Sequence, residues 1–212
     1  MSEVNAQQVK DLREKTGAGF MDCKIALRES GGDLERALRY LRERGLASAE
    51  KKAGRATAEG LIGSYIHAGG KIGVLIEVNC ETDFVARTDD FQRLVRDLAM
   101  QVAAASPLYV GKKDIPDTEL AREREIYEAQ AAESGKPPQV IGKMVEGKLE
   151  KYAAEVCLLE QDYIKESGKA VRQVVADAIS KLGENITVRR FVRFRVGEGI
   201  EQTKGDDGAS RA

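Results

Sequence analysis

Apolar residues recur at three- and four-residue spacing through the first 45 positions, in three short runs. Val4, Val9 and Leu12 fall on one helical stripe, which stops at Thr16-Gly17-Ala18-Gly19. A second run opens at Phe20-Met21-Asp22, carries Ile25, Ala26 and Leu27, and ends at Gly31-Gly32. Asp33 then stands where a helix N-cap is wanted, ahead of Leu34, Ala37, Leu38 and Leu41, and Gly45 closes the run. Three helices within residues 1–45 make a small bundle with a marginal core of its own. Residues 46–59, LASAEKKAGRATAE, are small, charged and alanine-rich. They read as a solvated helix or a linker, and the domain boundary is placed there.

The period changes after residue 60. Residues 61–67 and 71–79 read as strands joined by Gly69-Gly70, which suit a tight hairpin turn. Ile72, Val74, Ile76 and Val78 alternate strictly, so one face of the second strand is buried. Phe91, Leu94, Val95, Leu98, Ala99 and Val102 form a helical stripe that Ser106-Pro107 ends. Residues 117–133 read as a charged helix poor in apolar residues, and another helix follows Pro137-Pro138 to about Ala154. Val156 to Glu160 reads as extended, and residues 169–182 as an amphipathic helix stopped by Gly183. A last strand covers 186–196, with Ile186, Val188, Val192, Phe194 and Val196 on one face and Arg190 interrupting it. Hairpins without a βαβ rhythm predict an α+β fold. Its plan is a helical N-terminal domain, a core at 60–200 with a small antiparallel sheet packed against helices, and a polar, disordered tail at 201–212.

Composition narrows the function. The 212 residues carry 34 basic and 35 acidic side chains, a net charge of −1, which argues against a polybasic nucleic-acid coat. The single histidine, His67, leaves few routes to a general base or a zinc site. Cys23, Cys80 and Cys157 are far apart and form no CxxC pair, so neither a disulfide framework nor a zinc knuckle is expected. No apolar h-region opens the chain and no apolar run approaches the roughly 18 residues of a membrane span. A soluble protein of a reducing cytoplasm is the expectation.

Four segments are candidates for chemistry. Gly69-Gly70-Lys71 resembles the end of a phosphate loop, but Tyr65 holds the place of its first glycine and Ile72 that of Ser/Thr. The glycines also lie between strands rather than ahead of a helix. Cys80, before a helix start, is placed where a thiol pKa can fall, but His67 is the chain's only imidazole to serve it. Arginines and aromatics interleave at Val188–Arg195, in the manner of an RNA-binding sheet face or of a strand with a solvated basic side. Asn79-Cys80-Glu81-Thr82-Asp83-Phe84-Val85 is the most unusual piece. Asp83 could cap a helix and Phe84 could be core; alternatively an exposed Phe beside a carboxylate is a wedge for a partner's surface.

Three stretches carry a family resemblance. VKDLREKTGAGFMDCK at 9–24, EVNCETDFVA at 77–86 and FVRFRVGEG at 191–199 resemble, in the same order, bacterial elongation factor Ts. The resemblance implies a guanine-nucleotide exchange factor for the GTPase elongation factor Tu, which expels GDP by disturbing the Mg²⁺ and phosphate site so that GTP can bind. It implies no enzyme chemistry, no cofactor and no metal of its own, and a cytoplasmic protein with neither membrane nor nucleic acid as direct partner. The N-terminal helices are expected to be a ubiquitin-associated-like domain touching the GTPase domain through Leu12, Arg13, Phe20 and Met21. Phe20 stands where Met is common. The wedge falls on Thr82, Asp83, Phe84 and Val85, and Gln101 stands where some relatives have a His near the phosphate-binding loop. Longer members carry a duplicated core with a coiled-coil insertion. A single core copy here implies a homodimer in a two-plus-two complex, paired through its sheet edge and helix faces.

Overall fold

The structure, a computed structural model, describes residues 4–133 and 135–199. The polar tail from Glu201 lies outside the described residues. Three helices come first: α1 (Ala6–Thr16), α2 (Phe20–Glu29) and α3 (Leu34–Lys52). Asn5 and Gln8 form a capping box at the start of α1, and Gly17, at φ 67°, ends it in the left-handed region. Asp33 caps α3 by accepting from the Arg36 N–H at 2.9 Å. Val9, Leu12, Cys23, Ala26, Leu27 and Ala37 make a buried cluster between the three helices.

The third helix does not stop at Gly45. It runs on to Lys52, because one interior glycine costs only about 1 kcal/mol and the residues beyond it favour helix. Gly45 is buried where α3 lies along α8 (Val171–Leu182), with Asp177 and Ser180 its nearest neighbours. Ala49, further along α3, packs on the main core.

Strands β1 (Glu59–Ile66), β2 (Ile72–Cys80) and β3 (Ile186–Arg195) form one antiparallel sheet in the order β1-β2-β3. The β1–β2 turn holds Gly69 and Gly70 at φ 89° and 69°, a conformation that other residues resist. Val74, Ile76 and Val78 point into the main core, as their alternation predicts. Helix α5 (Asp89–Ala105) crosses this inner face and brings Phe91, Leu94, Val95, Leu98, Ala99 and Val102 to it. At Gly63 the approach is so close that a Cβ would stand 2.3 Å from Val95 Cγ1.

Strand β3 departs from the predicted alternation. Glu77 pairs with Arg190 but Val78 with Val188, so Arg189 is an extra residue at a β-bulge. One extra residue reverses which side chains face inward. Ile186 and Val188 face the core, but beyond the bulge Phe191 packs inward, while Val192 and Phe194 are exposed.

Between α5 and α8 the chain makes a hairpin of helices α6 (Asp117–Ala132) and α7 (Pro138–Val156). Ala131, Val145 and Leu149 form a small cluster of their own there, and Ile115, Ala153 and Cys157 another at the hairpin's base. The stretch read as extended at 156–160 is instead the end of α7, one parallel bridge from Cys157 to Tyr109, and a 3₁₀ turn at Leu158–Glu160. Among the described residues no helix is long and apolar enough to cross a membrane.

Candidate partner-binding site

At the end of β2 the chain leaves the ladder and turns into α4 (Asp83–Ala86), one helical turn long. Such a turn has no stability by itself and depends on what flanks it. Val85 and Ala86 sink into the main core. Phe84, between them and Asp83, is 77% exposed. Thr82 caps the turn: its Oγ1 accepts from the Val85 N–H at 3.4 Å. Asp83 is exposed and pairs with Arg87 at 2.6 Å, a surface contact of little energetic weight. Thr88 donates to the Val85 carbonyl at 2.7 Å and caps α5, so the two helices are joined without slack.

The polar groups around this turn come from far along the chain. Glu184 accepts from the N–H groups of Glu81 (3.1 Å) and Thr82 (3.0 Å) and from the Thr82 hydroxyl (2.6 Å). In the reverse direction, Glu81 accepts from the Asn185 N–H at 2.6 Å and faces Arg55 at 3.4 Å. The buried Asn185 donates to the Arg55 carbonyl at 2.8 Å. The end of α3, the end of β2 and the α8–β3 connection are thereby tied at one point.

The expected N-terminal contact residues divide. Phe20 is 52% and Met21 61% exposed, side by side at the start of α2, and Arg13 is exposed on α1. Leu12 is fully buried in the three-helix cluster, so it supports the surface from beneath and presents nothing to a partner. Gln101 is also fully buried. Its Nε2 donates to Gln161 Oε1 and the Asp162 carbonyl at 3.2 and 3.1 Å, and its Oε1 accepts from the Ile164 N–H at 2.9 Å. The geometry therefore assigns Gln101 a structural task, joining α5 to the 161–164 loop, in place of the partner contact expected there.

The thiols are quiet. Burial pushes the Cys80 pKa up, with the Glu184 charge adding to it, which outweighs the lowering that a nearby helix start would bring. Burial likewise raises Cys23, and raises Cys157 to about 11. His67 stands exposed at the hairpin turn beside the Tyr65 hydroxyl, at 3.1 Å. On β3, Arg189 and Arg190 share Glu77 at 3.9 and 2.7 Å, and Arg193 meets Glu198 at 3.6 Å. Three of the strand's arginines are thus engaged within the chain.

With this geometry in view, the comparisons with known proteins are decisive. A family model described as Elongation factor TS matches residues 48–198. The chain belongs to the elongation factor Ts family. It is 57% identical over 209 residues to elongation factor Ts of Geobacter sulfurreducens, covering 99% of this chain and 97% of that one. It is 55% identical over 212 residues to that of Desulforamulus reducens, covering 100% and 98%. To that of Thermoanaerobacter sp. it is 56% identical over 203 residues, covering 96% and 100%. The protein is thereby a translation elongation factor.

The elongation factor Ts match spans the sheet, the Phe84 turn and the helical hairpin, whereas α1 and α2 precede it. Two features of this region were not read from the sequence. One is Glu184, whose 102-residue separation from Thr82 leaves no local signal. The other is the outer face of the sheet, where Ile62, Ile66, Leu75, Val192 and Phe194 are all exposed. The pairings Ser64↔Leu75↔Val192 and Ile66↔Gly73↔Phe194 place these side chains on one side. In β1 the adjacent pairs Leu61-Ile62 and Tyr65-Ile66 put apolar residues on both faces, a local sign of it, but the bulge in β3 concealed the other half.

Proposed function

We propose that this factor is the guanine-nucleotide exchange factor of elongation factor Tu, and that Phe84 is its wedge. The observation that carries the reading is a large aromatic side chain, 77% exposed, on a turn whose next two residues are locked in the core. Exposed single apolar residues are common, but one held rigidly at a protruding turn is suited to entering a partner's pocket. Inserted beside the site where Mg²⁺ bridges the nucleotide phosphates, it displaces the groups that hold the ion and weakens GDP. Asp83 brings a negative charge to the same locality, Thr82 caps the turn and Val85 anchors it.

Exchange is then a matter of differential binding. The factor prefers the nucleotide-free partner, and by linkage GDP weakens the factor as much as the factor weakens GDP. No covalent bond is made or broken, so the protein is not an enzyme in the chemical sense. Arg13, Phe20 and Met21, on a helical bundle we read as ubiquitin-associated-like, supply a second contact to the GTPase domain. The bundle and the core are read as two domains. The exposed apolar outer face of the sheet supports a homodimer, face to face, in a two-plus-two complex with the partner. The site of action is the cytoplasm, and neither membrane nor nucleic acid is a direct partner.

Release of a fluorescent GDP from elongation factor Tu tests the reading. Phe84→Ala is expected to slow release strongly with an unchanged melting temperature; full activity in that variant removes the wedge. Sedimentation at micromolar concentration tests the dimer, which Phe194→Glu on the outer face should dissociate.

A further inference from the structure

We propose that Glu184 is the positioning residue of the Phe84 turn, and that it acts on the rate of nucleotide release rather than on partner affinity. This rests on the reading of Phe84 as the wedge. The carboxylate takes the first two N–H groups after β2, those of Glu81 and Thr82, at 3.1 and 3.0 Å. It also takes the hydroxyl hydrogen of Thr82 at 2.6 Å. A threonine hydroxyl has a single hydrogen. With that hydrogen directed to Glu184, a lone pair of Oγ1 is left for the Val85 N–H, the bond that caps α4. One side chain thus sets both the path of the backbone into the turn and the cap that closes it.

The opposing bond from the Asn185 N–H to Glu81 makes the clasp reciprocal, each strand end holding the other's carboxylate. Phe84 itself makes no part of the clasp, and Glu184 lies on the α8–β3 connection, outside the turn it holds. Loss of Glu184 leaves Val85 and Ala86 buried and Glu81 still held by Asn185, but it takes the acceptor from the Glu81 and Thr82 N–H groups and from the Thr82 hydroxyl. The turn then loosens, so Phe84 samples more directions and must be ordered at the moment of insertion. That ordering cost falls on the insertion step. The other contact surface, at Phe20 and Met21, is untouched.

The test is a mutant cycle on the full chain, read by release of fluorescent GDP preloaded on elongation factor Tu over a range of factor concentrations. Glu184→Ala is expected to lower the saturating release rate about tenfold, the scale of one hydrogen bond to a charged group, with the half-maximal concentration little changed. Glu184→Gln, which keeps an acceptor oxygen, is expected to fall between, and it carries the test if the alanine variant melts early. The deciding measurement is the double variant with Phe84→Ala. If Glu184 acts through the wedge, the double variant releases GDP no more slowly than Phe84→Ala alone. If the two losses multiply, Glu184 acts elsewhere and the proposal falls while the wedge stands. If Phe84→Ala alone leaves release unchanged, the wedge itself falls and takes this proposal with it. A rise in half-maximal concentration at constant saturating rate for Glu184→Ala also overturns it.

Discussion

Phe20 and Phe84 both stand in the first turn of a helix with their rings in solvent, yet they are mounted differently. Phe20 opens a ten-residue helix that enters through Gly19, which supplies no side-chain cap. Beneath it lies a small cluster of Val9, Leu12, Cys23, Ala26, Leu27 and Ala37. Phe84 sits on a helix of only four residues, but its flanks are fixed by Thr82, Glu184 and Thr88 and its floor is the main core. The shorter helix is the stiffer mount. Rigidity here comes from the ends and from the depth of the core beneath, not from helix length. A stiff mount suits a residue that must push into a partner, and a looser one suits a residue that only adds contact area.

The comparison breaks most readily at Leu12. Leu12→Ala empties a fully buried site and is expected to cost about 3 kcal/mol, seen as early loss of the α1–α3 signal in thermal melting. If the Phe20 surface depends on that cluster, partner affinity falls with it, although Leu12 touches nothing outside. The two mounts also carry natural reporters, since Cys23 is buried in the cluster of the three leading helices and Cys80 in the main core. Burial raises both thiol pKa values, so at neutral pH both stay protonated and react only when their surroundings open. A thiol reagent in excess is expected to label Cys23 on the order of a hundredfold faster than Cys80, because smaller cores open more often. Equal rates at the two positions would erase the distinction between the mounts.

Smaller effects separate the two roles. Phe84→Ala is expected to lower the saturating rate of GDP release at least about thirtyfold, the scale of an interface hot spot, while shifting stability by under about 0.5 kcal/mol. Replacing Phe20 and Met21 together by alanine is expected to raise the half-maximal factor concentration about tenfold and leave the saturating rate alone. A drop in rate there instead would assign both surfaces the same task. The smallest change is Gly19→Ser, which gives α2 the missing cap. It should add a few tenths of a kcal/mol and slow Cys23 labelling to match.

Several elements were legible in the residues. Asp33 and Gly17 announced their helix ends, and the alternation at Ile72–Val78 announced a strand with one buried face. The period of Phe91, Leu94, Leu98 and Val102 announced α5, and the same period could have placed Gln101, three residues past Leu98, on its buried side. Gly45 misled because a glycine's cost is small beside the packing of α3 on α8. Val192 and Phe194 misled because a bulge leaves no mark in composition: it inserts one residue and inverts the alternation beyond it.

The sequence alone determined the α+β class, the three leading helices, the hairpin turn and the family, since caps, turns and periodicity act over a few residues and motifs are strings. Only the tertiary structure decided which residues of those motifs are available. It sent Leu12 and Gln101 inside, left Phe84, Phe20 and Met21 outside, and opened an apolar face on the sheet. It alone joined Glu184 to Thr82 across 102 residues. Burial and long-range hydrogen bonds depend on how the elements meet, and no local window of the chain contains that information.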